Sequence, residues 1–200
     1  MKRVLAFFGA FNPPTVAHLA LAQYAMERTG REGVAFVPSK AAYIRQEQGK
    51  SFAYTDAQRL AMLSAAAQTR PWMQVIPWEL EAEIQPRTYH TLCQLRDSGL
   101  SPTLLLGSDK LQELEKGWQF VPEICREFGI VCLARGGNDC REALARDPFL
   151  HSLTPPIQFI ETPPDFRQVS STDVRKKVAQ LRELEKELHA LTPPEVYPLL

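Results

Sequence analysis

Apolar runs of strand length recur along the chain, each closed by glycine, proline or a small polar residue, and stretches with one apolar face lie between them. Residues 4–8, VLAFF, are uninterrupted apolar, as expected of a strand covered on both faces of a parallel sheet. Further strands are predicted at 34–37, 72–80, 103–106, 130–134 and 157–160. Pro77 makes the third a broken or edge strand, because it cannot donate to a ladder. Between them, residues 16–28 carry Leu19, Ala22 and Met26 at one-face spacing and are closed by Gly30 and Gly33. Thr55 and Gln58 form a capping box for a helix over 56–69 with Leu60, Leu63 and Ala67 on one face. Helices are also predicted at 88–97, ended by Ser98 and Gly99, and at 111–114, 121–127, 141–146 and 171–191.

Strands alternating with helices predict an α/β fold: a doubly wound, mainly parallel Rossmann-like sheet with helices on both faces and a C-terminal helical region. At 200 residues, one domain over 1–200 is expected. Residues 41–54 keep neither period, and so long a loop predicts a mobile flap. Leu181, Leu184, Leu188 and Leu191 are too short a heptad series for a coiled coil and predict a helix packed on the body.

Composition removes several function classes. Lys and Arg number 23, as do Asp and Glu, so the chain has no net charge to attract nucleic acid, and an anionic substrate must be met by local cations. No apolar stretch is long enough to span a bilayer. Lys2 and Arg3 precede an apolar run as in a signal peptide, but a turn follows and no small-residue cleavage site does, so no leader and a cytoplasmic location are expected. Cys93, Cys125, Cys132 and Cys140 form no CxxC pair and predict reduced packing thiols, with no metal site.

The chemistry gathers where strands end, the place at which open parallel sheets bind ligands. After the first strand, Gly9 lets the backbone turn, Pro13 and Pro14 keep the chain extended, and Thr15 takes the N-cap of the next helix. His18 then lies three residues inside that cap, beside free N–H groups and the positive end of the helix dipole. Such a histidine either finishes the cap or holds a phosphate oxygen. Asn12 follows the same first strand, and Ser39, Lys40, Gly107, Asp109 and Arg135 follow other strand ends. Far along the chain, Ser170, Ser171 and Thr172 enter a helix with Arg175 one turn later: a capped surface helix if taken alone, a second phosphate site beside the first. Glu79, Glu81, Glu83 and Asp139 are expected to be solvated charges.

Gly9-Ala10-Phe11-Asn12-Pro13-Pro14-Thr15-Val16-Ala17-His18 resembles the first signature of the nucleotidylyltransferases that join a mononucleotide to ATP, and Ser170-Ser171-Thr172-Asp173-Val174-Arg175 resembles their second. The pattern is most similar to the nicotinate and nicotinamide mononucleotide adenylyltransferases. Gly107-Ser108-Asp109 resembles the segment that holds the ATP ribose, and Thr88, Thr91, Leu92 and Trp118 resemble the part that receives the pyridine nucleotide. Thr15 stands where bacterial members usually carry a second histidine, as in the eukaryotic form, and Arg87 stands where an aromatic residue is common.

The resemblance implies attack of the mononucleotide phosphate on the α-phosphorus of ATP, with pyrophosphate leaving on Mg²⁺. His18, Thr15 and Arg175 would be catalytic. ATP would meet Gly9, Phe11, Gly107, Asp109, Arg135, Ser171 and Thr172, and the mononucleotide would meet Asn12, Lys40, Thr88 and Trp118. Trp118 would stack on the pyridine or pack plainly, and Thr88 would bond the ring substituent or cap its helix. Expected partners are ATP and a pyridine mononucleotide, with self-association left open. A pantetheine-phosphate or glycerol-phosphate acceptor, or a non-catalytic nucleotide-binding module, would share the same phosphate residues.

Overall fold

The computed structural model describes residues 1–48, 53–134, 146–162 and 170–191. Six parallel strands form one sheet in the order β3-β2-β1-β4-β5-β6: β1 (Lys2–Gly9), β2 (Gly33–Pro38), β3 (Met73–Val75), β4 (Leu100–Gly107), β5 (Ile130–Ala134) and β6 (Gln158–Glu161). Alternate residues of the central strands supply two separate cores. Leu5, Phe7, Val34, Phe36, Leu105 and Val131 pack on α1 (Val16–Thr29) and α3 (Asp56–Ala67). Ala6, Ala35, Leu104, Leu106 and Cys132 face the opposite helices, α5 (Thr88–Asp97), α6 (Leu111–Gly117) and α7 (Val121–Phe128). This two-sided burial explains why the strands are apolar without alternation. Strand order reverses between β1 and β4, so the chain leaves their carboxyl ends on either side of a crevice.

The predicted elements at 88–97, 130–134 and 171–191 appear with the same bounds, and both predicted caps form. Gly30 closes α1 in the left-handed conformation, φ 62°. Four expectations are corrected. First, 41–48 of the expected flap is a helix, α2 (Ala41–Gln48), anchored by buried Ala41 and Ile44; residues 49–52 lie outside the described part. Second, the third strand stops at Val75, on the sheet edge, and Pro77 begins a short helix, α4 (Trp78–Glu81), where its missing N–H costs nothing. Third, the buried faces of α1 and α3 are centred beside the expected ones: Ala22 and Leu63 are buried as expected, whereas Leu19, Met26 and Ala67 are only partly buried at the edge of the same core. Ala17, Leu21, Ala22 and Ala25 are the buried residues of α1, and those of α3 are Leu63 and, against expectation, Arg59.

The fourth correction concerns the last helix. A short helix α8 (Pro148–Ser152) precedes β6, and α9 (Ser171–Leu191) follows, but Leu181, Leu184 and Leu188 are 56%, 62% and 41% exposed. Among the described residues only the first turns of α9 touch the body; beyond them Leu181, Leu184 and Leu188 stand exposed among charged neighbours. The glycine-rich turn at 135–139, with Arg135, Asp139 and Cys140, and nearly all of the helix expected at 141–146 lie outside the described residues.

Candidate active site

A cleft of about 1030 Å³ opens at the carboxyl ends of the strands. His18, Asn12, Gly9, Phe11, Gly107, Asp109, Thr88, Trp118, Ser171, Thr172 and Arg175 all line it, so residues more than 150 positions apart share one wall. Two of the residues expected at the site stand behind its surface. Thr15 is 6% exposed and acts through His18. Lys40 is half-buried, next to the lining Ser39, and its backbone N–H donates to Gln85 Oε1 at 2.8 Å.

The first signature is a turn held from both sides. Phe11 adopts a left-handed conformation, φ 44°, which turns its ring back under the strand end. There it lies 5.5 Å from Phe7, 5.5 Å from Phe36 and 5.4 Å from the His18 ring. Gly9 is needed for this return, since a Cβ there would come within 3.1 Å of the Phe11 ring.

Thr15 then caps α1. Its N–H donates to His18 Nδ1 at 3.1 Å, its Oγ1 lies 2.7 Å from the same nitrogen, and the His18 N–H reaches Thr15 Oγ1 at 3.4 Å. This is a capping box in which histidine replaces the usual glutamate or glutamine. Because a backbone N–H can only donate, Nδ1 is an acceptor and the neutral ring carries its proton on Nε2. Thr15 therefore fixes both the tautomer and the ring plane of His18.

The second signature docks against the first. Ser170 Oγ accepts the Asp173 N–H at 3.1 Å, capping α9. Ser171 Oγ donates to Pro13 O at 2.8 Å, and Arg175 Nη1 donates to Asn12 O at 2.7 Å while Nη2 donates to Thr172 Oγ1 at 3.1 Å. The N-termini of α1 and α9 thus meet across one turn, with hydroxyls and a guanidinium between them. Free helix N–H groups and a planar cation in one place make an anion site.

The opposite wall carries residues that sequence reasoning missed. Arg59 is fully buried: Nη1 donates to Ala10 O at 2.5 Å, and Nη2 donates to Ser39 O at 2.7 Å and to Asp56 Oδ1 at 2.6 Å. It joins the chain ends of β1 and β2 beneath the cleft. Burial pushes its pKa down, against the pull of Asp56. Glu79, expected in solvent, is 1% exposed and lines the cleft. Burial pushes its carboxyl up to about 7, opposed by hydrogen bonds from Gln85, Thr91 and Ser39. A charged residue in a helix carries no sequence signal for such burial, though Arg59 four positions before Leu63 does share the face that Leu63 defines.

A model of the cytidylyltransferase-like family matches residues 6–177. The chain belongs to the cytidylyltransferase-like family. Among its relatives there, a probable nicotinate-nucleotide adenylyltransferase of Albidiferax ferrireducens is 30% identical over 90% of this chain and 87% of its own length. The nicotinate-nucleotide adenylyltransferase of Bacillus subtilis is 28% identical over 88% and 86%. A nicotinamide/nicotinic acid mononucleotide adenylyltransferase of Arabidopsis thaliana is 26% identical over 88% and 80%. The fold matches that of Plasmodium falciparum nicotinic acid mononucleotide adenylyltransferase complexed with NaAD, at a TM-score of 0.65 and 18% identity over 88% of this chain and 83% of that one. The family match spans both signature segments and all of the described sheet except residues 2–5 of β1. Among the described residues, no helix of this family member is long and apolar enough to cross a membrane.

Proposed function

We propose that this cytidylyltransferase-like protein transfers the adenylyl group of ATP to nicotinate or nicotinamide mononucleotide, forming the adenine dinucleotide and pyrophosphate. The observation that carries the reading is the meeting of His18, Ser171, Thr172 and Arg175 in one cleft at two helix N-termini. The relatives' names support the same activity.

An oxygen of the acceptor phosphate attacks the α-phosphorus of ATP, and the bond from that phosphorus to the bridging oxygen of the β-phosphate breaks. Little covalent chemistry falls to the protein, and the rate comes from alignment and charge stabilisation. His18 Nε2–H donates to a non-bridging α-phosphate oxygen as charge builds there. Arg175, Ser171, Thr172 and the N-terminus of α9 hold the departing β- and γ-phosphates. Asp109 accepts from the ATP ribose, Gly9, Phe11 and Gly107 give the nucleotide a close floor, and Arg135 serves the adenine end. Lys40, set behind the cleft surface at the end of β2, is assigned to the attacking phosphate with support from Asn12, and Trp118 and Thr88 receive the pyridine.

ATP enters as its Mg²⁺ complex. Such an ion keeps several waters and takes the phosphate oxygens of its own ATP, so it needs no dedicated protein cage, and the Ser171 and Thr172 hydroxyls that line the cleft would fit its shell. When bound, it neutralises charge on the leaving pyrophosphate. Arg87 also lines the cleft on the Thr88 side, where a guanidinium favours the acceptor that bears a ring carboxylate. The reading places the protein in the cytoplasm as one domain.

The test is steady-state pyrophosphate release from MgATP with each mononucleotide in turn. Release with at least one, faster with the nicotinate form, is expected. No release with either ends the proposal, and release only with phosphopantetheine or glycerol phosphate transfers the chain to another acceptor class.

A further inference from the structure

The segment between α4 and α5 has no regular structure at residues 82–87, yet Gln85, Pro86, Arg87 and the following Thr88 form part of the cleft wall. Its shape is set by one buried network. The Lys40 N–H donates to Gln85 Oε1 at 2.8 Å, which obliges the Gln85 carboxamide to turn its NH₂ the other way. There it donates to Glu79 Oε2 at 2.5 Å, while Thr91 Oγ1 donates to Glu79 Oε1 at 2.9 Å and Ser39 bonds the same carboxyl.

Donor and acceptor logic leaves position 79 little choice. The Lys40 amide has no acceptor capacity, so Gln85 has one orientation, and its NH₂ needs an acceptor at 79. A carboxyl group offers two oxygens to Gln85, Thr91 and Ser39, and when protonated it can turn its O–H to one of the two hydroxyls while still accepting from Gln85. A glutamine of the same shape would offer one oxygen and one NH₂. Turned with its oxygen to Gln85, it would present its NH₂ to the Thr91 and Ser39 hydroxyls, which would both have to reverse from donors into acceptors; turned the other way, two NH₂ groups would face each other, or Gln85 would flip and leave Lys40 N–H without its acceptor. The groups that face Glu79 come from the end of β2, the 82–87 segment and α5, and all three are neutral donors.

We propose that Glu79, acting through Gln85 and Thr91, is the positioning residue of the acceptor side: it locks the 85–88 wall to the end of β2 and so sets the affinity for the mononucleotide rather than for ATP. The proposal rests on the acceptor assignment above. Glu79 touches neither reacting phosphate; it fixes where Arg87, Thr88 and the Ser39–Lys40 corner present themselves. ATP meets the other wall, whose side chains are held by α1 and α9, so the two affinities separate.

The experiment compares the wild-type chain with Glu79→Gln, Gln85→Glu and the reciprocal exchange E79Q/Q85E. In the exchange the carboxamide now at position 79 donates to the carboxylate now at position 85, and that carboxylate still accepts from Lys40 N–H, so the pair is rebuilt with its ends swapped. Expected is a rise of about tenfold in the mononucleotide KM for Glu79→Gln, with kcat and the KM for ATP moving less than threefold, and recovery to within about threefold in the exchange. An exchange no better than the single variant, an acceptor KM unchanged by Glu79→Gln, or equal rises in both KM values would overturn it. Should Glu79→Gln fail to fold, Gln85→Ala, at a half-buried position, must give the same selective rise. If the wild-type chain releases no pyrophosphate with any mononucleotide, the proposed function falls by itself. The lock is then read by hydrogen exchange of residues 82–87: faster in Glu79→Gln and restored in the exchange if correct, unchanged if not.

Discussion

The two walls of the cleft are built on opposite plans. On the wall proposed to hold the phosphates two side chains are aimed by a neighbour three residues away, His18 by Thr15 and Arg175 by Thr172. The long-range bonds there run to backbone carbonyls, Ser171 to Pro13 and Arg175 to Asn12. On the wall proposed to face the acceptor the orienting groups are buried charged side chains whose bonds reach beyond their own helices, Arg59 to Ala10 and Ser39 as well as to nearby Asp56, and Glu79 to Gln85 and Thr91. A wall of local caps keeps its geometry when one remote contact fails. A wall of buried charges does not, because each lost partner leaves a polar group stranded. Substitutions on the first wall should therefore cost activity and little stability, and those on the second should cost stability as well.

The largest effect is expected at the reacting centre. His18→Ala should lower kcat/KM by about 30- to 1000-fold, the loss of about 2–4 kcal/mol of transition-state stabilisation seen when a donor to a developing anion is removed. Its denaturant midpoint should stay close to wild type, since only half a capping box goes. A kcat/KM unchanged by the substitution removes His18 from the chemistry.

Arg59→Met reverses that pattern. It strips the Ala10 and Ser39 carbonyls of their donor and should cost about 2–4 kcal/mol in urea unfolding. Loss below about 0.5 kcal/mol would mean that the buried guanidinium merely fills space.

Glu79 brings pH dependence to the same wall. Its folded pKa of about 7 lies above the 4.5 of the unfolded chain, so between those values the folded state holds a proton that the unfolded state has released. Its contribution to stability is therefore complete below pH 4.5 and lost as pH rises through about 7. Stability relative to Glu79→Gln should fall by about 3 kcal/mol from pH 4.5 to 8, measured by denaturant unfolding across that range. A difference independent of pH would show that the carboxyl is solvated after all.

The same contrast governs what could be read from the chain. Thr15 with His18 and Thr55 with Gln58 were predictable because a cap is a local pattern, and both form. β5, α5 and α9 end where expected because glycine, proline or capping residues mark their bounds. Burial of Arg59 and Glu79 was not, since nothing within a few residues of either says that Ala10, Ser39 or Thr91 will come to meet it. The helix at Ala41–Gln48 was missed for a related reason: its sequence is polar and weakly periodic, and it is held by Asp56 Oδ1 accepting the Ala41 N–H at 3.0 Å. Tertiary partners, and not propensity, decided each of these.

Thr15→Ala would probe the link between cap and chemistry. Loss of the hydroxyl should cost about 1 kcal/mol of stability, the usual value of an N-cap. It should also cost a few-fold in kcat, because His18 Nδ1 keeps its bond from the residue 15 N–H while the hydroxyl's 2.7 Å contact to Nδ1 and its 3.4 Å bond from the His18 N–H disappear. A kcat loss as large as that of His18→Ala would place the threonine hydroxyl itself on the substrate.

The smallest effect is predicted on α9, where the two plans meet in one helix. Its first turns are fixed by Ser171 and Arg175 against the phosphate wall, whereas Leu181, Leu184 and Leu188 stand exposed beyond them. An apolar side chain contributes through area withdrawn from water, about 25 cal/mol per Å², and these leucines have withdrawn little. Leu184→Gln should accordingly change unfolding free energy by no more than about 0.5 kcal/mol and leave both KM values alone. A loss of about 2 kcal/mol or more, the cost of truncating a packed leucine, would mean that the projecting half of α9 is covered in solution. Phosphate binding would then depend on contacts made well beyond the turn that carries Arg175.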